Sequence, residues 1–140
     1  MRPKVYIDGH VGTTGLRIRD WLAGREDVEL LEIPEAHRKD DDARREDLRG
    51  ADRAVLCLPD NASRDAVDWV ADDETRLIDA STAFRVNENW TYGLPELSGA
   101  QREAIRDARF VSNPGCYPSA FVLLVAPLVE AGVLPASAPV

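Results

Sequence analysis

The chain has 140 residues, a formal net charge of −8 at pH 7 and a pI near 4.7. That length suits one domain able to bury a core of its own. Val, Ile, Leu and Phe make up a quarter of it, too many for a chain disordered by composition. The acidic balance excludes the broad basic surface used in non-specific nucleic-acid binding or attraction to anionic membranes, so neither partner is expected.

Lys4 to Ile7 reads as a short buried strand, and Gly9 to Gly15 as a glycine-rich turn. Leu16 to Ala23 has helical spacing, with Ile18, Trp21 and Leu22 on one side and Gly24 as a stop. Val28 to Ile33 predicts a second strand, closed by Pro34. Residues 38 to 53 carry six basic and six acidic side chains, the pattern of a solvated helix or loop. Ala54 to Leu58 is wholly apolar, which suits a parallel strand covered on both faces. A helix over Ala62 to Val70 follows, capped by Asn61 or Asp60.

Arg76 to Asp79 predicts a fourth strand. Ser81 to Leu97 has little periodicity and reads as a long loop, a frequent home of function. Ser98-Gly99-Ala100-Gln101 is a capping box for a helix to about Ala108. Arg109 to Ser112 is a further strand. The last helix is expected from Pro118 to Gly132, kinked at Pro127. This alternation predicts an α/β fold, a doubly wound parallel sheet of Rossmann-like form. Residues 1–133 are expected to form a dinucleotide-binding domain, and residues 134–140 the start of a connection to a further domain.

Two motifs carry chemistry. Gly9-His10-Val11-Gly12-Thr13-Thr14-Gly15 lies between the first strand and the first helix. There, glycines let backbone approach a pyrophosphate, and the helix start offers free N–H groups and the positive end of its dipole. Thr13 and Thr14 add hydroxyl donors. A tight turn without a ligand is the plain alternative. After the second strand, Glu32 and Glu35 compete with Arg38 and Lys39; an acidic residue there favours NAD, a basic one the 2′-phosphate of NADP. The basic pair tilts the expectation to NADP, with Arg38 as the contact, unless it merely belongs to the solvated charge run.

The second motif is Ser112-Asn113-Pro114-Gly115-Cys116-Tyr117-Pro118-Ser119-Ala120. Asn-Pro-Gly turns the chain sharply, and Cys116 then stands at a helix start, where a thiolate is favoured. A thiolate attacks carbonyl carbon, and backbone N–H groups of the same turn could hold an oxyanion. Cys57, between two leucines, reads instead as a small buried hydrophobe. Two cysteines build no disulfide framework, Met1 to Lys4 lead into no signal peptide, and the longest apolar run, Ala120 to Ala126, is seven residues. A soluble cytoplasmic protein is expected, and no metal site is read.

The cysteine stretch is similar to the active-site signature of the N-acetyl-γ-glutamyl-phosphate reductases of arginine biosynthesis, with Ser119 where Thr is usual. Asp79-Ala80-Ser81-Thr82-Ala83-Phe84-Arg85, Tyr92-Gly93-Leu94-Pro95-Glu96-Leu97 and Asp8 to Leu16 also resemble that family. The resemblance implies NADPH-dependent reduction of N-acetyl-glutamyl 5-phosphate to the 5-semialdehyde through a thioester on Cys116. Gly9, Gly12, Thr13, Thr14 and Gly15 would hold the pyrophosphate and Ser81 would lie near the nicotinamide. Arg85 would take a substrate carboxylate or phosphate, or else serve a structural ion pair. Glu96 would order the loop. Family members are longer, with a second, substrate domain that supplies a histidine; neither His10 nor His37 matches it. The resemblance therefore implies an amino-terminal cofactor part with little turnover alone, homo-oligomeric in full-length form. A sister acyl-phosphate reductase with another substrate, or an NADP-binding sensor or inactive dinucleotide-binding module, are the alternatives.

Overall fold

The computed structural model describes residues 1–138. Six strands, β1 (Lys4–Asp8), β2 (Glu29–Leu31), β3 (Arg53–Leu56), β4 (Arg76–Asp79), β5 (Thr91–Tyr92) and β6 (Phe110–Ser112), form one sheet. Their order is β2-β1-β3-β4-β6-β5 and every pairing is parallel. Five helices alternate with them: α1 (Thr13–Ala23), α2 (Asp41–Gly50), α3 (Asp60–Trp69), α4 (Gly99–Asp107) and α5 (Cys116–Glu130). The chain leaves β1 toward β2 on one side and β3 on the other, so the exits of β1 and β3 frame the switch point where open α/β sheets bind ligands.

The main core lies on the sheet face carrying Tyr6 and Asp8. Tyr6, Ala54, Leu56 and Leu77 meet Leu48 of α2 and Ala66 of α3, with Val70 just beyond it. On the other face the row Ile7, Val55, Ile78 and Val111 is in register across four strands. There Ile7 is 3% exposed but Ile78 44%, so the two-sided burial expected of a parallel strand fails at β4.

The charge run is helix α2, capped by the Asp40 carboxylate accepting from the amides of Asp42 and Ala43. It is not merely solvated. Leu48 is fully buried, and the Arg44 guanidinium pairs bidentately with Asp8, at 3.1 Å (Nε to Oδ1) and 3.0 Å (Nη2 to Oδ2). Arg44 and Arg45 also lie over the Trp69 ring. Burial works against the charged Arg44, but the hydrogen bonds and field of Asp8 outweigh it and raise its pKa.

The expected loop 81–97 contains the short strand β5, which extends the sheet beyond β6. An aromatic stack orders the rest: Phe84 lies 4.2 Å from Trp90, and Trp90 5.0 Å from Phe110, ring centre to ring centre. The Ser98 side chain caps α4 by accepting from the Gln101 amide. The Gln101 side chain donates to the Tyr92 carbonyl instead of closing the box. α5 begins at Cys116, two residues earlier than expected, and runs on through Pro127. Of the expected connection 134–140, residues 139 and 140 lie outside the described residues.

Candidate active site

The exits of β1, β3, β4 and β6 are neighbours on the carboxyl edge of the sheet. Backbone hydrogen bonds carry their alignment past the strands: Cys57 N–H to Asp8 C=O at 2.8 Å, Ala80 to Leu56 at 2.9 Å, and Asn113 to Asp79 at 2.7 Å. Three inter-strand steps of about 4.8 Å place the β1 and β6 exits about 14 Å apart.

At the β1 exit the glycine turn closes through contacts only glycine permits. Gly9 has φ +86°, and a β-carbon on it would lie 2.3 Å from the Cys57 carbonyl oxygen. A β-carbon on Gly15 would lie 2.3 Å from the Gly9 carbonyl oxygen. Gly12 is different, since its nearest neighbour would be 3.4 Å away; it caps α1 and no side chain occupies that cap. Gly12, Thr13, Thr14, Gly15, Cys57, Leu58 and Ala80 line one cavity of about 320 Å³. A helix start with free amides and a glycine face is suited to a pyrophosphate.

A second cavity, about 350 Å³, lies beside the same turn on the Tyr6 face. Its walls include Gly9, His10, Arg38, Lys39 and Arg44. Glu32 turns the other way: it pairs with Arg19 at 2.9 Å and lines a separate cavity on the α1 face, together with Glu35. Glu32 and Lys39 thus line different cavities, whereas Arg38 lines the second cavity while paired with Glu35 of the α1-face one. Asp8 neutralises Arg44 and Glu35 pairs with Arg38, so among the described residues Lys39 is the unpaired cation of that wall.

At the β4 exit the buried Ser81 hydroxyl donates to Asp79 Oδ2 at 2.6 Å and accepts from the Ala83 amide at 3.1 Å. Asp60 does not cap α3. Its carboxylate accepts from Thr82 Oγ1 (2.6 Å) and the Thr82 amide (3.0 Å), which hold it below the usual carboxylate range. Pro59 occupies the cap position. Among the described residues Arg85 makes no ion pair. Its Nε donates to the Asn113 carbonyl at 3.1 Å and its Nη2 to the Ala80 carbonyl at 3.2 Å. Nη1 lies against Gly115, 2.7 Å from where a β-carbon would stand. Arg85 thereby ties the β4 exit to the turn before Cys116.

Cys116 is the first residue of α5 and is exposed. No acidic side chain stands in the first turn and none caps it. Cys57 is not the core residue its flanking leucines suggest. β3 ends at Leu56, and Cys57 sits half-buried in the cavity wall. Burial, then the charges of Asp79 and Asp8, push its thiol up to about 11. At pH 8 only about one Cys57 in a thousand is then thiolate. Iodoacetamide at pH 8 is expected to label Cys116 and leave Cys57 intact, with Cys57 labelling growing as the pH rises toward 11. Peptide mass spectrometry reads this directly; Cys57 labelled first would contradict the burial argument. Among the described residues no cluster of His, Cys, Asp and Glu could hold a metal ion, and no helix is long and apolar enough to cross a membrane.

Sequence reasoning missed Arg44 and the cavity position of Cys57. The signal for Arg44 was Asp8, an acidic residue at the end of an apolar strand, which needs a partner when buried.

Residues 4–108 match the semialdehyde dehydrogenase, NAD binding domain family. Over its whole length the chain is 56% identical to the N-acetyl-gamma-glutamyl-phosphate reductase of Rhizobium etli and 55% identical to that of Brucella ovis. It covers 46% of each, so it spans about half the length of these curated relatives. Aspartate semialdehyde dehydrogenase II of Vibrio cholerae, complexed with ASA, superposes with a TM-score of 0.73 at 19% identity, over 94% of this chain and 47% of that one. The Candida albicans aspartate semialdehyde dehydrogenase with NADP gives 0.67 at 12% identity, over 94% and 48%. These two show the fold. With three quarters of its residues matched, the chain belongs to the family of semialdehyde dehydrogenase NAD-binding domains.

Proposed function

We propose that residues 1–133 are the dinucleotide-binding and thiol-bearing part of an NADPH-dependent reductase converting N-acetyl-glutamyl 5-phosphate to N-acetyl-glutamate 5-semialdehyde. The carrying observation is that parallel strand exits bring the glycine turn, a cavity walled by Arg38 and Lys39 and an exposed thiol to one edge of the sheet. The names of the relatives supply the substrate.

The residues fit the cofactor. Gly9, Gly12, Thr13, Thr14 and Gly15 would hold the pyrophosphate, Arg38 with Lys39 the 2′-phosphate, and Ser81 would border the nicotinamide end. Bound NADPH supplies a hydride. Cys116 attacks the acyl carbon, a C–S bond forms, the C–O bond to phosphate breaks, and inorganic phosphate leaves. The free Nη1 of Arg85 and the uncapped amides of α5 would draw the phosphate to this turn. With that hydride delivered to the acyl carbon, Cys116 would be the leaving group, released as its thiolate as the aldehyde forms. Ser81 already spends its proton on Asp79, so its role toward a ligand is that of an acceptor. His10 lies in the glycine turn and His37 beyond β2. Neither stands by Cys116 to exchange a proton, and little turnover is expected of these 140 residues alone.

A fluorescence titration tests the cofactor half. Saturable NADPH binding is expected, with NADH about tenfold weaker; Arg38→Ala should cost NADPH about tenfold and leave NADH unchanged. Equal affinity for both would remove the NADP assignment, and no binding would remove the reading entirely.

A further inference from the structure

Asp79 is a costly residue for the interior. It is fully buried, at 0% exposure, and its Oδ1 accepts no hydrogen bond from any described residue. A buried carboxylate oxygen left without a donor works against folding. The turn after β4 does not need that side chain, because its backbone is tied separately. Asn113 N–H donates to the Asp79 carbonyl, Ala80 N–H to the Leu56 carbonyl, and Arg85 Nη2 to the Ala80 carbonyl. What the carboxylate does hold is one proton, through Oδ2: that of the Ser81 hydroxyl, at 2.6 Å.

That single bond fixes the polarity of Ser81. A hydroxyl has one hydrogen and two lone pairs. The hydrogen is spent on Asp79 and one lone pair on the Ala83 amide, at 3.1 Å. One lone pair is left, with which Ser81 can receive a hydrogen bond but give none. Ala80, between Asp79 and Ser81, lines the cavity of the glycine turn, as does Cys57, whose thiol feels the Asp79 charge.

On the strength of the NADPH reading, on which this rests, we propose that Asp79 is a positioning residue that sets cofactor specificity: by holding the Ser81 proton it makes Ser81 an acceptor-only contact, which selects the carboxamide N–H of a nicotinamide over a bare carbonyl. A carboxamide turns its NH2 toward the free lone pair. An acetyl group in its place has only an oxygen to offer, and oxygen then faces oxygen. A site built around such a bond rejects the ligand that lacks it.

The orphaned oxygen also dictates what an amide does at position 79. The corner at Oδ1 tolerates an oxygen without a donor. In Asp79→Asn the amide oxygen takes that corner and the NH2 turns to Ser81, since the opposite placement strands both hydrogens. Ser81 then accepts from the amide, and its own proton swings free to be donated.

Displacement of bound NADPH from the 140-residue chain, read by fluorescence, tests this with three probes: NADP, its 3-acetylpyridine analogue, and 2′-phospho-ADP-ribose, which has no pyridine ring. Wild type should take NADP about tenfold more tightly than the acetyl analogue. In Asp79→Asn the gap should close to within about twofold because the analogue gains, a change that a general disturbance of the fold does not produce. In Ser81→Ala it should close because NADP loses. 2′-Phospho-ADP-ribose should bind all three proteins alike, and the melting temperature of Asp79→Asn should not fall. Equal affinity of wild type for the two dinucleotides, a gap kept in either variant, or equal loss of all three probes in Asp79→Asn would each overturn the proposal and leave NADPH binding standing. No NADPH binding by wild type would instead remove the cofactor reading, and the proposal with it.

Discussion

Replacing Gly15 with alanine lowers the melting temperature by about 10 °C and abolishes saturable NADPH binding. The new β-carbon would stand 2.3 Å from the Gly9 carbonyl oxygen, 2.8 Å from His10 Cα and 2.9 Å from the Gly9 carbonyl carbon. All three are backbone atoms, so no rotamer change can relieve the clash and the turn itself must open. Inserting a group into a closed site costs about 3 kcal/mol, which for a domain of this size is about 10 °C. Two companions separate folding from binding. Gly12→Ala has room at its nearest contact, 3.4 Å, and should keep the melting temperature while weakening NADPH at least tenfold, because its face lines the cavity. Gly50→Ala, with nothing within 4 Å, should leave both unchanged. Differential scanning fluorimetry with the fluorescence titration reads the series; an undamaged Gly15→Ala protein would mean the turn is looser than its contacts imply.

The second large effect is at Arg44. Arg44→Ala should destabilise the chain by about 3 kcal/mol, because it strands the Asp8 carboxylate inside the protein. Asp8 is 3% and Arg44 12% exposed as side chains. The exposed pairs Arg45–Asp42 and Arg106–Glu103 should each be worth less than about 1 kcal/mol when broken. The contrast is the test: urea midpoints should fall far for Arg44→Ala and hardly for Arg45→Ala. In the double variant Asp8→Asn with Arg44→Met most of the loss should return, since no charge is then left unpaired. Equal effects at Arg44 and Arg45 would show that the buried pair carries no special weight.

What could be read from the amino acids differs from place to place for physical reasons. The alternation of strands and helices was legible because each apolar run is bounded by Gly, Pro or a charge cluster. The glycine turn was legible because its role is a backbone role, fixed by residue type. Arg44 was not: in the sequence it is one of six bases among six acids, and only the docking of α2 on β1, 36 residues away, singles it out. The Ala54–Leu58 run gave no hint that pairing ends at Leu56, because hydrophobicity does not mark where a ladder stops. Asp60 looked like a cap but found Thr82, 22 residues on. β5, two residues long, is too short to carry a period of any kind. For Arg38, residue order left the acids and bases after β2 in competition, and its ion pair with Glu35 shows why order alone does not separate them.

That two-residue strand changes the standing of the thiol. Without β5, the strand leading to Cys116 would be the rim of the sheet, free to fray on one flank. With Thr91 and Tyr92 hydrogen-bonded alongside, and Gly93 donating to the Ser112 carbonyl at 2.8 Å, β6 becomes an inner stave held on both flanks. The sulfur rides on a mount whose height and tilt are set from left and right, and thermal wander of the turn that carries it is damped.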